Sequence, residues 1–275
     1  MKRPAIHSLY LVFLCLYVPA FCQTDNPGLG ARSAGLGNAS VTVQDAWAFF
    51  NNISGTAELK QIQAGSTFQN RFGIKALNTA AAVIIYPTRY GVPSAGFSKF
   101  GDSHYSVQKV SLGFAHKIGH VSLGIKADYL QVAIEELNTR RAVLIEFGGI
   151  AFISQGLVFG AHIYNINQAS LIGGVNKETA PVVMKAGLSY RPTEKLMVNA
   201  ETQKDISHKP SLKTGIEYRV INKLSLRTGI STQSFISFFG FGFHNQKLRI
   251  DYAFSSHAQL GISNELSLSY QFRKK

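Results

Sequence analysis

The chain has 275 residues and a formal charge of +13, from 28 Lys and Arg against 15 Asp and Glu. Its basic residues are dispersed rather than gathered into a stripe, which excludes a nucleic-acid surface and leaves anionic lipid head groups, an anionic ligand or scattered solvated charge. Both cysteines, Cys15 and Cys22, fall near the start, so a chain trimmed after them has no disulfide, thiolate metal site or Cys nucleophile.

Trimming is what the first residues predict. Lys2 and Arg3 give a basic start, Leu9 to Phe21 is an apolar run, and Ala20 and Cys22 hold the −3 and −1 positions of a small-residue cleavage site. This is an export signal over 1–22, with Gln23 as the mature N-terminus. The run is shorter than the roughly 20 residues that a spanning anchor needs. Bulky Phe21 before Cys22 argues against a lipoprotein.

Residues 23–58 read as a compact, plug-like segment. Gly28, Gly30, Gly35 and Gly37 lack the preceding strand and following long helix of a dinucleotide loop, and predict tight turns and close backbone approach. Val41–Val43 reads as a short strand. Asp45 is placed to cap a short helical turn through Phe50 that buries Trp47, Phe49 and Phe50. Asn51, Asn52, Ser54 and Gly55 then end that turn.

From residue 59 to 275 the period is close to two. Leu212, Thr214, Ile216, Tyr218 and Val220 oppose Lys213, Gly215, Glu217 and Arg219; Leu248, Ile250, Tyr252 and Phe254 oppose Arg249, Asp251, Ala253 and Ser255. Such alternation, repeated, predicts strands. Fourteen centres can be placed, near Ala64, Val83, Ala95, Val110, Ile125, Ile145, Phe159, Lys185, Val198, Ile216, Leu226, Phe239, Ile250 and Leu268. A change of phase between Val107 and Val110 predicts a bulge near Gln108. Ala80–Tyr86 and Val143–Ile153 are nearly continuous apolar runs, assigned to strands by their β-branched and aromatic content. Short turns between the strands fit an up-and-down meander.

A soluble β fold also alternates, so membrane insertion rests on further features. Strands of about 9 to 12 residues match a tilted membrane crossing. The polar faces carry Lys126, Asp128, Lys185, Arg191, Glu217, Arg219, Arg227, Arg249 and Asp251 with glycines, as a wet or salt-bridged lumen would. Tyr86, Tyr129, Tyr190, Tyr218, Tyr252, Phe254, Tyr270 and Phe272 fit an interfacial girdle, and each alone is also compatible with ordinary packing. The final LSLSYQF puts Phe272 on the face of Leu266, Leu268 and Tyr270, resembling the aromatic ending of outer-membrane barrels. The expected fold is all-β: a transmembrane antiparallel up-and-down barrel of about 14 strands with an N-terminal plug-like segment.

The opening segment also carries a family resemblance. Gly30-Ala31-Arg32-Ser33-Ala34-Gly35-Leu36-Gly37, Asp45-Ala46-Trp47-Ala48 and Asn51-Asn52 resemble the start of PorV/PorQ-like outer-membrane proteins and, more distantly, of FadL-like long-chain fatty-acid transporters. Where those families continue Asn-Pro-Ala, this chain has Ile53-Ser54-Gly55. The resemblance implies a barrel of about fourteen strands with an N-terminal element inside it, in a Gram-negative outer membrane of Bacteroidetes type. It marks Gly30, Arg32, Gly35, Gly37, Asp45, Trp47, Asn51 and Asn52 as plug-motif candidates. It implies one of two roles: association with type IX secretion and surface protein attachment, or passive transport of small hydrophobic solutes such as fatty acids. The implied partners are outer-membrane lipid, secretion-system or surface proteins, or a hydrophobic small molecule.

No enzyme signature accompanies these features. There is no Gly-x-Ser-x-Gly elbow. His116 and His120 read as solvated turn histidines, and Glu135–Glu136 as a solvated loop. No cofactor is expected. Whether the lumen is open, and whether Trp47, Phe49 and Phe50 lie in it or at a rim, stays undecided at this level.

Overall fold

The computed structural model describes residues 28–136, 138–173, 178–206, 209–232 and 235–272. The leader expected over residues 1–22, with both cysteines, lies outside them. Two short helices, α1 (Ala31–Gly35) and α2 (Ala48–Asn51), and a 3-10 turn, η1 (Ile53–Glu58), come first. Next come β1 (Gln63–Arg71), β2 (Ile74–Ile85), β3 (Val92–Gly101), β4 (Tyr105–Ile118), β5 (Val121–Ile134), β6 (Arg140–Ser154) and β7 (Leu157–Tyr164). A small hairpin, β8 (Ser170–Leu171) and β9 (Glu178–Thr179), interrupts the connection to the second half. That half is β10 (Val183–Tyr190), β11 (Leu196–Asp205), β12 (Ser211–Ile221), β13 (Leu224–Ser231), β14 (Ile236–His244), β15 (Leu248–His257) and β16 (Gly261–Gln271).

All but β8 and β9 form one closed antiparallel barrel of 14 strands, each paired with its neighbours along the chain, and β1 closes on β16 from Gln63↔Gln271 to Asn70↔Asn264. Every strand centre expected from the sequence falls within one of these strands. Gln63 and Gln271 mark one end of the barrel, here called proximal; the turns 119–120, 155–156 and 222–223 lie there, and the connection 165–182 lies at the opposite, distal end.

Period-two patterning sorts the side chains as lipid requires. Along β5, Ser122, Gly124, Lys126, Asp128 and Leu130 are buried while Leu123, Ile125 and Tyr129 are exposed. Leu212, Ile216, Leu226, Ile230, Phe239, Leu266 and Leu268 are likewise exposed, whereas Lys213, Arg227, Asp251 and Glu265 are buried. A soluble protein hides its large apolar side chains and rarely buries Lys or Asp. In a bilayer the inversion is favourable, because hydrocarbon takes the outward face and closure leaves no unpaired strand edge. Tyr86, Tyr190, Tyr218, Tyr270 and Phe272 stand exposed on the outer face near the proximal end, while Tyr129 and Phe254 sit further along their strands. Tyr252 is half-buried, its hydroxyl donating to Asn264 Oδ1 at 2.7 Å.

Two local expectations need correction. No bulge occurs near Gln108: pairing runs unbroken from Val92↔Ala115 to Gly101↔Ser106 and from Tyr105↔Ile134 to Ile118↔Val121. Val107 breaks the polar inward series because it belongs to an inward apolar cluster, described below. Val41–Val43 is a turn, not a strand, with Val43 N–H donating to Ser40 C=O at 3.0 Å. The amides of Ser40 and Val41, which a strand would have given to a neighbour, both donate to Glu201 Oε2 at 2.7 Å.

Candidate functional site: the occupied lumen

The segment from Gly28 to Leu59 lies within the barrel and touches every strand of its wall. Its course is set by where a backbone can approach the sheet. An inward-facing glycine on β3, β4, β5, β6, β7, β10, β12, β13 or β14 leaves room for one part of it: Gly96 for Phe49, Gly113 and Gly124 for Ile53, Gly148 for Asn52, Gly160 and Gly187 for Val41, Gly215 and Gly229 for Leu36 and Gly240 for Gly35. A Cβ on Gly160 would lie 2.6 Å from the Val41 carbonyl oxygen, and one on Gly113 2.8 Å from Ile53 Cδ1. Real Cβ atoms do not approach so closely, so these glycines are a belt shaped to the segment.

Within the segment, two glycines do conformational work. Gly30 (φ 102°) opens α1 against the Trp47 ring, and Gly37 (φ 67°) reverses the chain after it, in a region that L side chains rarely adopt. The Asn pair then fixes the return path. Asn51 accepts from Leu29 N–H at 2.9 Å through Oδ1, and its Nδ2 donates to the Leu29 carbonyl at 2.9 Å and to Ser33 Oγ at 2.8 Å. Asn52 Nδ2 donates to the Val41 carbonyl at 2.7 Å, while its Oδ1 accepts from Ser54 Oγ at 2.7 Å. These contacts close the segment on itself without the proline of the resembling families. Asn51→Ala strands the buried Leu29 amide and carbonyl, and the expected loss is about 2 kcal/mol. The check is a lower urea midpoint at unchanged m.

Polar and apolar parts of the segment meet matching walls. Trp47, Phe49, Phe50 and Ile53 pack with Leu29 and with Ala81, Val83 and Ile85 of β2, Val92 of β3 and Ala115 of β4. Those inward positions are where the long apolar reading of Ala80–Tyr86 originates. Asp45 is not the helix cap expected from the sequence: α2 has Trp47 at its N-cap position and no side-chain capping bond, and Asp45 instead accepts from Trp47 N–H at 2.9 Å in the turn that leads into the helix. Beside this wall, on β16 beyond β1, Gly30 N–H donates to Glu265 Oε1 and Ala31 N–H to Ser267 Oγ, each at 2.7 Å.

Six charges form an alternating chain across the lumen. Asp45 Oδ2 lies 3.2 Å from Arg32 Nη1; Arg32 grips Glu217 with Nε at 2.8 Å and Nη2 at 2.7 Å. Glu217 Oε2 also meets Arg227 Nε at 2.6 Å, Arg227 Nη1 meets Asp251 Oδ1 at 2.7 Å, and Asp251 Oδ2 ends 4.0 Å from Arg249 Nε. The bidentate Arg32–Glu217 fork ties the segment to the wall with fixed geometry. A second cluster lies on β5–β7, where Lys126 Nζ is 3.0 Å from Glu146 and 3.7 Å from Asp128, and His162 Nε2 is 3.0 Å from Glu146. Lys126 Nζ also stands over the rings of Phe49 and Phe50, at 5.2 and 5.6 Å from their centroids, an attraction that desolvation strengthens.

All eight motif residues therefore sit in the lumen, and Arg32 and Asp45 join Glu217, Arg227, Arg249 and Asp251 in one network. Lys126 and Asp128 belong to the second cluster, and Lys185 is buried on the same inward face. Arg191, half-buried at the start of a proximal turn, directs Nη2 at Met197 Sδ, 3.3 Å away. Arg219 pairs across the ladder with inward-facing Ser225 but is exposed at the proximal rim. His116 and His120 are exposed. Four further charges are buried and inward: Lys213 and Glu265, which alternation places on polar strand faces, and Glu146 and Glu201, which sequence reading does not single out.

Towards the distal end the inward face turns apolar. Leu130 and Val132 of β5, Ala142 and Leu144 of β6, Tyr164 of β7 and Val183 of β10 cluster with Val107 of β4, and Ala169, Leu171 and Ala180 of the distal connection pack over them. No family model matches the sequence, and no curated protein matches it. Solved structures do. The Pseudomonas putida toluene transporter TodX aligns with a TM-score of 0.70 at 13% identity, over 91% of this chain and 100% of that one. The Ralstonia pickettii toluene transporter TbuX gives 0.68 at 12% identity over 90% and 99%, and a Pseudomonas aeruginosa FadL homologue 0.66 at 10% over 90% and 99%. This chain has their fold. At such identities the likeness extends to architecture, and substrate must be argued from this chain's own side chains.

Proposed function

We propose that the protein is exported with residues 1–22 removed, spans the outer membrane of a Gram-negative bacterium, and takes up small hydrophobic solutes through a barrel stoppered by residues 23–58. One observation carries the choice of solute: beyond the charged Lys126–Glu146 cluster the inward face becomes apolar around Leu130, Leu144, Tyr164 and Val183, apart from the apolar wall on β2–β4 that the segment's own aromatic residues cover. A ligand site is typically an apolar concavity with a few polar groups for orientation, and Lys109 supplies one, 5.3 Å over the Tyr164 ring. The fold shared with two toluene transporters supports the same solute class. The stopper accounts for selectivity, because a lumen filled by the segment offers ions no wide water path.

The test is toluene entry into cells that carry the barrel in an intact outer membrane, against entry of a polar solute of similar size. The expected result is faster toluene uptake with no gain for the polar solute. Unchanged toluene uptake, with heat-modifiable migration showing that the barrel has assembled, would sink the transport reading. The second reading is the secretion-associated role implied by the resemblance over Gly30–Asn52. It draws support from the same filled lumen, since a barrel that works through partners at its rim needs no passage.

A further inference from the structure

At the proximal end the N-terminal segment leaves a cleft of about 240 Å3 between itself and the wall. Asp45 lines it from the segment, and Gln63, His244, Lys247, Arg249 and Gln271 line it from the barrel. Its charge is unbalanced. Asp45 is the acidic member, but its carboxylate is already engaged by Arg32 and by the Trp47 amide. Arg249 is the last cation of the alternating chain and the most loosely held, 4.0 Å from Asp251 with its side chain one-third exposed. Lys247, two residues earlier, is exposed on the β14–β15 turn. Arg219, on the same rim, has no ion pair among the described residues and lies within electrostatic range of His244. The six chained charges cancel, so Lys247 and Arg219 are a surplus that the protein itself does not neutralise.

We infer that this cleft is a binding site for an oxyanion, a phosphate or carboxylate group, held by Arg249 and Lys247 with Gln63 and Gln271 as neutral donors. A guanidinium offers a fork of donors matched to either oxyanion, and an ammonium adds a point charge. The volume selects size. It holds about eight waters at roughly 30 Å3 each and falls below the about 300 Å3 at which pockets for drug-sized ligands begin. A head group fits, and any longer tail must leave through the proximal mouth. Because Asp45 and Ala46 form one wall and Trp47 follows them, an occupied cleft is felt directly by the segment. The site stands on charge and volume alone, so it does not depend on what the distal end admits.

The experiment uses the full mature protein in a zwitterionic detergent and phosphate-free buffer. Inorganic phosphate, acetate and monobutyl phosphate are titrated in turn by calorimetry, with butanol as the neutral control. Fluorescence is followed in parallel, since Trp47 is the sole tryptophan. The expected result is saturable binding of the anions and none of butanol, accompanied by a change in Trp47 emission. Lys247→Gln on its exposed turn is expected to weaken binding about tenfold, the effect of one charge-assisted contact; Arg249→Gln with Lys247→Gln is expected to abolish it. Tighter binding of monobutyl phosphate identifies the head group of an amphiphile as the ligand. Binding of inorganic phosphate with exclusion of the butyl ester identifies a free anion. Absence of saturable binding by any of the three, or equal affinity in Lys247→Gln and in the double variant, overturns the site. Toluene uptake is not read here, so failure of this test leaves the distal transport reading to its own experiment.

Discussion

Arg32→Met is expected to destabilise the folded barrel by about 3–5 kcal/mol, the usual consequence of removing one partner from a buried ion pair. The size follows from what is left behind. Arg32 is 8% exposed and Glu217 12%, so neither charge has water to fall back on. Without the guanidinium, Glu217 keeps Arg227 at 2.6 Å but loses both prongs of the fork, and Asp45 keeps only the Trp47 amide. Glu217→Met alone is expected to be comparably costly, because it takes the shared carboxylate from two buried guanidinium groups and leaves Arg32 only Asp45 and Arg227 only Asp251. The pair changed together is expected to recover most of the loss, since apolar replacement of a buried ion pair is often near neutral. The coupling energy from urea unfolding of the four proteins is therefore the decisive quantity. A value within about 0.5 kcal/mol of zero would mean that the fork exists without holding the segment. Ion conductance separates local release from global weakening. If Arg32→Met frees the segment while the wall persists, current through a planar bilayer rises and Trp47 becomes accessible to a soluble quencher.

The wall of this barrel is legible in the sequence because lipid imposes a simple rule on it. A strand between hydrocarbon and a polar interior must alternate strictly, and β12, β13 and β15 do so without exception over the residues that identify them. The rule fails where the interior is not polar. Ala81, Val83 and Ile85 point inward at the aromatic cluster, and Leu130, Ala142 and Leu144 point inward at the distal end. Period two is then hidden, and β2 and β6 read as continuous apolar runs. Glu146 was overlooked for this reason, although it shares its phase with Gly148 and that parity alone would have put it in the lumen. Val107 posed the same problem in miniature and suggested a bulge that an apolar inward residue explains without one. Inside the lumen the segment was recognisable by composition, but its path was not. Val41 and Val43 have strand propensity, and the Glu201 carboxylate on the wall beside them, far off in sequence, takes the amides a strand would have paired.

The inward glycines were legible as part of a wet or salt-bridged polar face, and their fit to the segment was not; a matched pair of substitutions tests what they do. Gly149 of β6 faces outward, and a Cβ there would meet Leu123 Cδ2 at an ordinary 3.5 Å. Gly229 of β13 faces inward, and a Cβ there would lie 2.5 Å from the Leu36 carbonyl carbon and 2.8 Å from Gly37 Cα. Intrinsically, alanine should favour a strand interior over glycine by about 0.5–1 kcal/mol, so Gly149→Ala is expected to be neutral or slightly stabilising. Gly229→Ala adds the same methyl to the same kind of strand and is expected to cost at least the 1–3 kcal/mol that overpacking typically does, roughly 3 kcal/mol in all. Neighbouring side chains cannot relieve it by changing rotamer, because both atoms it meets are backbone. Relief requires that residues 36–37 move off the wall, and Gly215 on β12 grips the same Leu36 from the adjacent strand. The chain has two ways to respond. It can stay packed and lose stability, read as a lower urea midpoint, or it can release the segment locally and expose Trp47, read as quenching and raised conductance. Either separates Gly229→Ala from Gly149→Ala. Equal behaviour of the two in all three measurements would show that the segment does not rest on the glycine belt, and with that the assignment of the lumen as stoppered would fall.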